Sequence, residues 1–232
     1  MRSSRITAED RKRAIVRAAM PLFAHKGFAA TTTRELARAA DVSEPLLYRH
    51  FPSKEALYET IQNFCCQSAD PAVERLSRLP ASTATLVQLT YYLMRSLLLR
   101  QTLGEVKVDT HFRLMLNSLL EDGTFARLLY RNRFARFCAR MEACLEAAIA
   151  AGEAVNGSAT VGNRVRFAHH VAAWLAVMHL PEKTAIDYRT ARAELLNQAL
   201  WFALRGMGLT EQAIATHYDP PALMQAFKEE WN

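Results

Sequence analysis

Residues 31–54 read TTTRELARAADVSEPLLYRHFPSK, and this stretch decides the fold. It holds two short amphipathic segments around a tight turn. Thr32, followed three residues later by Glu35, fits the S/T-x-x-E capping box, in which each side chain satisfies a backbone donor of the other residue. Leu36, Ala37 and Ala40 then supply an apolar face at helical spacing. The turn is Ala40-Asp41-Val42, and Asp is one of the few non-glycine residues that enters the left-handed region at modest cost. Ser43 suits the N-cap of the second segment. Pro45 is tolerated in its first turn, where its missing N–H would be unbonded anyway. Leu47 and Phe51, four apart, give that segment a buried stripe. Pro52 stops it, and Ser53 caps the helix that follows. Two short helices joined by a three- to four-residue turn form a helix-turn-helix. In such a pair the second helix is the one that enters a DNA major groove.

TTTRELARAADVSEPLLYRHFPSKEAL resembles the DNA-binding motif of the TetR/AcrR family of bacterial transcriptional regulators, and the resemblance runs upstream through AAMPLFAHKGFAATT to cover roughly residues 10–65. It implies an all-α protein with a three-helix head over residues 1–65 and a helical effector-binding and dimerisation domain over 66–232. It also implies a double-stranded DNA operator, a small-molecule effector of unknown identity, and a homodimer. Residue by residue, Tyr48 and Lys54 match positions that hold phosphates. Thr32, Thr33 and Arg34 lie at a helix start, where backbone donors and the helix dipole favour phosphate. Ser43, Pro45, Leu46, Arg49 and His50 fall in the DNA-facing set. Arg49 is the best direct reader, since Arg binds guanine O6 and N7 bidentately. Many family members read VSKGTLY where this chain has Glu44-Pro45-Leu46. That departure removes a cation and a hydroxyl and adds an acid. Glu44 then has two readings: an acceptor for cytosine N4, or a first-turn acid favoured by the dipole.

The charge agrees with a DNA-facing head. Residues 1–54 hold 11 Lys/Arg against 5 Asp/Glu, whereas residues 55–232 balance at 18 against 18. The whole excess of +6 therefore surrounds the motif, the footprint expected for phosphate binding. Half the residues are apolar, ample for a core in 232 residues. The longest apolar run, VAAWLAVM around Trp174, falls far short of the roughly 18 residues of a membrane span. MRSSRITAEDRKR lacks the apolar centre of a signal peptide, so a cytoplasmic protein is expected. Cys65, Cys66, Cys138 and Cys144 have no metal-ligand spacing and read as buried thiols. His169, His170 and His179 give no metal site either, because neighbouring helical residues point about 100° apart.

Upstream of the motif, residues 1–6 read as an arm carrying Arg2 and Arg5, either for a minor groove or as a disordered terminus. Thr7 with Asp10 caps a first helix with Ile15, Ala18, Ala19, Leu22 and Phe23 on one face. Pro21 is expected to kink it, and Gly27 to end it. A fourth helix follows Ser53 and ends at Asp70-Pro71. Further helices are predicted at 71–79, 83–101, 106–120, 124–151, 161–180, 188–206 and 210–230. Few strand signals occur, and no catalytic set stands out; the chain is read as a non-enzyme without a cofactor.

In the second domain, Tyr91, Tyr92, His111, Phe112, Met115, Phe134, Phe137, His170 and Trp174 are candidates for an effector pocket, weighed against plain core. The helices 161–180 and 188–206 are apolar on two faces, so each must bury both. The resemblance implies that these two helices pair with their mates in a dimer. Phe167, Val171, Trp174, Met178, Leu195, Ala199 and Phe202 are the interface candidates, and the periodicity leaves open which face points outward. The alternative from another class is a helical small-molecule-binding or interaction protein whose head has lost specific DNA binding, suggested by Glu44 and Leu46.

Overall fold

The computed structural model describes residues 7–67, 70–99, 102–103 and 106–226; Arg2 and Arg5 lie outside them. The chain runs through α1 (Ala8–Ala30), α2 (Thr33–Ala39), α3 (Glu44–His50), α4 (Lys54–Gln67), α5 (Pro71–Arg78) and α6 (Thr83–Leu98). A hairpin of β1 (Thr102–Leu103) and β2 (Val106–Lys107) precedes α7 (Val108–Leu120) and α8 (Thr124–Leu129). Then come α9 (Ala135–Ala150), α10 (Val161–Met178), α11 (Arg192–Gly206), α12 (Glu211–His217) and α13 (Pro220–Ala226). The fold is all-helical apart from the two-residue strands. Two compact units form: Met1–Ser68 with Asp109–Asn132, and Ala69–Val108 with Arg133–Asn232.

In the first unit, α1 buries Ile15, Val16, Ala19, Met20 and Phe23 and packs on α2 and α4, where Leu36, Leu57 and Ile61 are buried, as is Leu47 of α3. The backbone stays helical through the exposed Pro21, so the expected kink does not fall there; it falls at Gly27, whose φ of 78° only glycine adopts without strain. Behind the break, Phe23, Phe28 and Tyr58 pack ring to ring at 5.0–5.9 Å. Helices α7 and α8 belong to this same unit although they come more than forty residues after α4 in the chain. Phe125 and Leu129 of α8 are buried, and α8 packs on α4. Asn117 of α7 donates to the carbonyls of Phe23 and Ala24, at 3.3 and 3.2 Å. Buried His111 sets its Nε2 3.3 Å from the carbonyl of Cys65.

In the second unit α6 is the central helix, with Leu86, Val87, Leu89, Tyr91, Met94 and Leu97 buried, and α9, α10 and α11 pack around it. The run predicted as one helix over 124–151 is interrupted by a π-helical turn at Tyr130–Phe134. Among the described residues the helix predicted over 210–230 is two short ones, because Pro220 disfavours a helical conformation in Asp219 ahead of it; Tyr218, the C-cap of α12, is already extended. Arg164 is buried and donates to the carbonyls of Val155 and Met207, clamping the start of α10 to the end of α11. Gly208 (φ 96°) makes room for it, since a Cβ there would overlap the guanidinium. All four cysteines are buried, and none forms a disulfide among the described residues.

Candidate nucleic-acid interface

The geometry of the helix-turn-helix follows its caps. Thr32 accepts from the backbone N–H of Glu35 at 3.3 Å, and Glu35 accepts from that of Thr32 at 3.0 Å, so the capping box is complete. Lys26 at the end of α1 donates to the same carboxylate. That bond, with the two from Thr32, holds the Glu35 carboxyl down to about 2, far below its ordinary 4.5. Asp41 takes φ 52°, the left-handed turn expected of it. Ser43 accepts from the N–H of Leu46 at 3.3 Å, and Pro45 sits in the first turn of α3. With Leu47 and Phe51 buried against α1, α2 and α4, the rest of α3 is committed outward. Ser43, Pro45 and Arg49 are exposed, Tyr48 is 45% exposed, and Glu44, Leu46 and His50 are half-buried at the rim. Arg34 and Arg38 of α2 are exposed beside them.

Thr33, Tyr48, Ser53 and Lys54 line one narrow crevice over Leu47 and Leu57, so three of the residues assigned to phosphate converge. Their hydrogen bonds differ from the expectation. Thr33 donates its hydroxyl to Glu44 Oε2 at 3.1 Å. The Lys54 ammonium donates to the carbonyls of Phe28 and Thr31, at 3.1 Å each, and lies 4.3 Å from the centroid of the Phe28 ring. Two of its three donors are thus spent closing the end of α1. Sequence reasoning missed this cap and the Lys26–Glu35 pair, because both partners come from another helix. No local pattern announces the cap, since Lys54 lies 26 residues after Phe28.

The second unit resolves the apolar faces. Phe167 and Trp174 of α10 are 57% and 60% exposed, with Val171 and Met178 half-buried on the same stripe, while Val165, Ala168 and Ala172 are core. On α11, Phe202 is 62% exposed, with Trp201 beside it. Leu195 and Ala199, two of the interface candidates, are buried within the second unit with Leu196, Leu200 and Ala203; α11 packs on α6 and α10 with residues of both of its apolar stripes and leaves Phe202 outside. The pocket candidates are divided between the two units. Tyr91, Tyr92 and Phe137 are buried in the second unit, with the rings of Tyr92 and Phe137 6.4 Å apart. His111, Phe112 and Met115 lie on α7 in the first unit. Trp174 and His170 face solvent. The histidine that points inward is its neighbour His169, whose ring meets Phe134 edge-on at 4.4 Å. Burial holds His169 down to about 4, and its Nε2 has no hydrogen-bond partner among the described residues.

Residues 15–61 match the sequence profile of the bacterial regulatory proteins, tetR family. The head resembles those of the tetR family. Its capped α2, left-handed Asp41 turn and outward-facing α3 are the features that the match spans. The HTH-type transcriptional regulator EthR of Mycobacterium tuberculosis is 35% identical over 82 residues, 35% of this chain and 38% of that protein. An uncharacterized HTH-type regulator of Bacillus subtilis, YerO, is 48% identical over 48 residues, 21% of this chain and 17% of its own length. The chain thus spans less than two fifths of these relatives. In fold the likeness is longer. The tetR-family transcriptional regulator PfmR of Thermus thermophilus is 21% identical with a TM-score of 0.58, covering 83% of this chain and 97% of that one. Among the described residues no helix is long and apolar enough to cross a membrane.

Proposed function

We propose that this protein is a DNA-binding transcriptional regulator, a repressor that a small-molecule effector releases from its operator. The observation that carries the reading is the reading helix itself: α3 spends only Leu47 on the core and turns Ser43, Pro45, Tyr48 and Arg49 outward. The local excess of positive charge supports it, since neutralised phosphates supply most sequence-independent affinity. A homodimer is part of the proposal. Large exposed apolar patches mark partner surfaces, and the stripe of Phe167, Trp174 and Phe202 on α10 and α11 is of that kind. Two-fold symmetry would place two α3 helices on half-sites about 34–36 Å apart. The effector would act by preferring a conformer with the heads at another spacing, to the extent of its differential affinity. It would bind in the helical second domain, in the cytoplasm.

The test is a salt-titrated binding assay on the native upstream DNA and on random duplex of equal length. A steep fall of affinity with salt, together with a preference for the native sequence, is the expected result. A steep salt dependence with no preference would favour the second reading, a helical interaction protein whose head has lost specific binding.

A further inference from the structure

The side chain that neither the core nor the expected phosphate contacts account for is Glu44. It is the first residue of α3 and half-buried. Its Oε2 accepts the Thr33 hydroxyl across the gap between α2 and α3, at 3.1 Å. Its Oε1 accepts no hydrogen bond among the described residues. The arrangement is an acceptor held by one oxygen and open at the other, on the edge of the face formed by Ser43, Pro45 and Arg49.

We propose that Glu44 is a specificity-determining residue that selects a C·G pair at one position of each half-site, and that Thr33 is the residue that positions it. This rests on the DNA-binding reading above. An ionised carboxylate only accepts hydrogen bonds. In the major groove, guanine offers N7 and O6, both acceptors, and thymine offers O4 and a methyl group. Adenine offers one donor beside an acceptor, whereas cytosine N4 is a donor without an acceptor next to it. A carboxylate at the first turn of a docked α3 is therefore favoured over cytosine and repelled over guanine. Discrimination at this position comes as much from rejection as from attraction. The Thr33 bond adds to it by fixing a side chain that would otherwise lose its rotamer freedom on docking. In this arrangement the Thr33 hydroxyl is spent on Glu44, since it has a single proton to donate.

Selection of bound duplexes from a randomised library, followed by sequencing, tests this with the full-length protein and the variants Glu44→Gln, Glu44→Ala and Thr33→Val. The unmodified protein is expected to enrich cytosine at one fixed position in each half-site. Glu44→Gln keeps an oxygen to accept from Thr33 and turns its NH2, a donor, to the base edge, so cytosine should no longer be enriched and a base that presents an acceptor should replace it at that position alone. Its affinity for the original site should fall about 5- to 150-fold, the range for one good base contact. Its affinity for random DNA should rise, because a negative charge has left the phosphate side. Glu44→Ala should lose the preference without gaining another. Thr33→Val should keep cytosine but enrich it less, with Thr33→Ser restoring it. If the unmodified protein enriches a consensus and Glu44→Gln enriches the same one, this inference is wrong and the DNA-binding reading stands. If the unmodified protein enriches nothing, both fall.

Discussion

Single residues in the head divide by where their polar atoms are spent. Arg49 is exposed on α3 with its neighbours held by the core, so Arg49→Ala should leave the melting temperature unchanged. It should weaken operator binding by about 1–3 kcal/mol; equal losses on operator and random DNA would reduce Arg49 to a phosphate contact. Lys54 is the opposite case. Its ammonium holds two carbonyls and faces the Phe28 ring, so Lys54→Ala should cost the head about 1–3 kcal/mol in denaturant or thermal unfolding. The slope of log affinity against log salt should stay as it was, and a decrease of about one unit would put the ammonium on a phosphate after all. Glu35 carries a pH signature. Its carboxyl is depressed in the folded head, so the folded state binds fewer protons than the unfolded one on the acid side. The stability it contributes is complete above its ordinary 4.5 and drains away as the pH falls through about 2. Unfolding the unmodified protein and Glu35→Gln in parallel from pH 7 downward should show a gap that narrows below 4.5 and closes near 2; a gap independent of pH would mean that the ion pair with Lys26 contributes nothing.

At the scale of elements, α1 ends on side chains lent by other helices. Gly27 breaks the helical backbone, and Asn117 of α7 donates to the carbonyls of Phe23 and Ala24 just ahead of the break. Asn117→Ala removes both bonds and should destabilise the first unit by about 1–3 kcal/mol. Hydrogen exchange at the end of α1 is the measurement, and unchanged protection there would show that water substitutes for the amide. These contacts mark the limit of what the amino-acid sequence discloses. Thr32 with Glu35, Asp41 and Ser43 were legible because each acts on a backbone group three residues away or fewer. The Asn117 bonds join residues 94 and 93 apart and have no local pattern to announce them. The π-helical turn at Tyr130–Phe134 escaped for the same reason, since its apolar spacing still reads as a helix. On α11 the periodicity offered two apolar stripes, and only packing on α6 and α10 shows that residues of both are covered and that Phe202 is not. Of adjacent His169 and His170, the rings alone gave no means to choose the inward one.

For the molecule as a whole, the two faces of α11 can now be set against each other. Leu200 is fully buried, so Leu200→Glu places an unpaired charge in the core of the second unit and should abolish cooperative folding. Phe202 is outward, so Phe202→Glu should stay folded and sediment as a monomer with greatly weakened operator binding, because two like charges would meet at the dimer axis. Sedimentation of the unmodified protein as a monomer at micromolar concentration would sink the dimer. The make-up of the first unit also bears on how the protein is made. Its last two helices, α7 and α8, leave the ribosome after α5 and α6, which belong to the other unit. Domains fold as units during synthesis, so the head must wait for residue 132 before Asn117 and Phe125 are available to it. A nascent chain halted near residue 70 should then expose the sides of α1 and α4 to chaperones and proteases, and one halted with residue 132 clear of the exit tunnel should resist them.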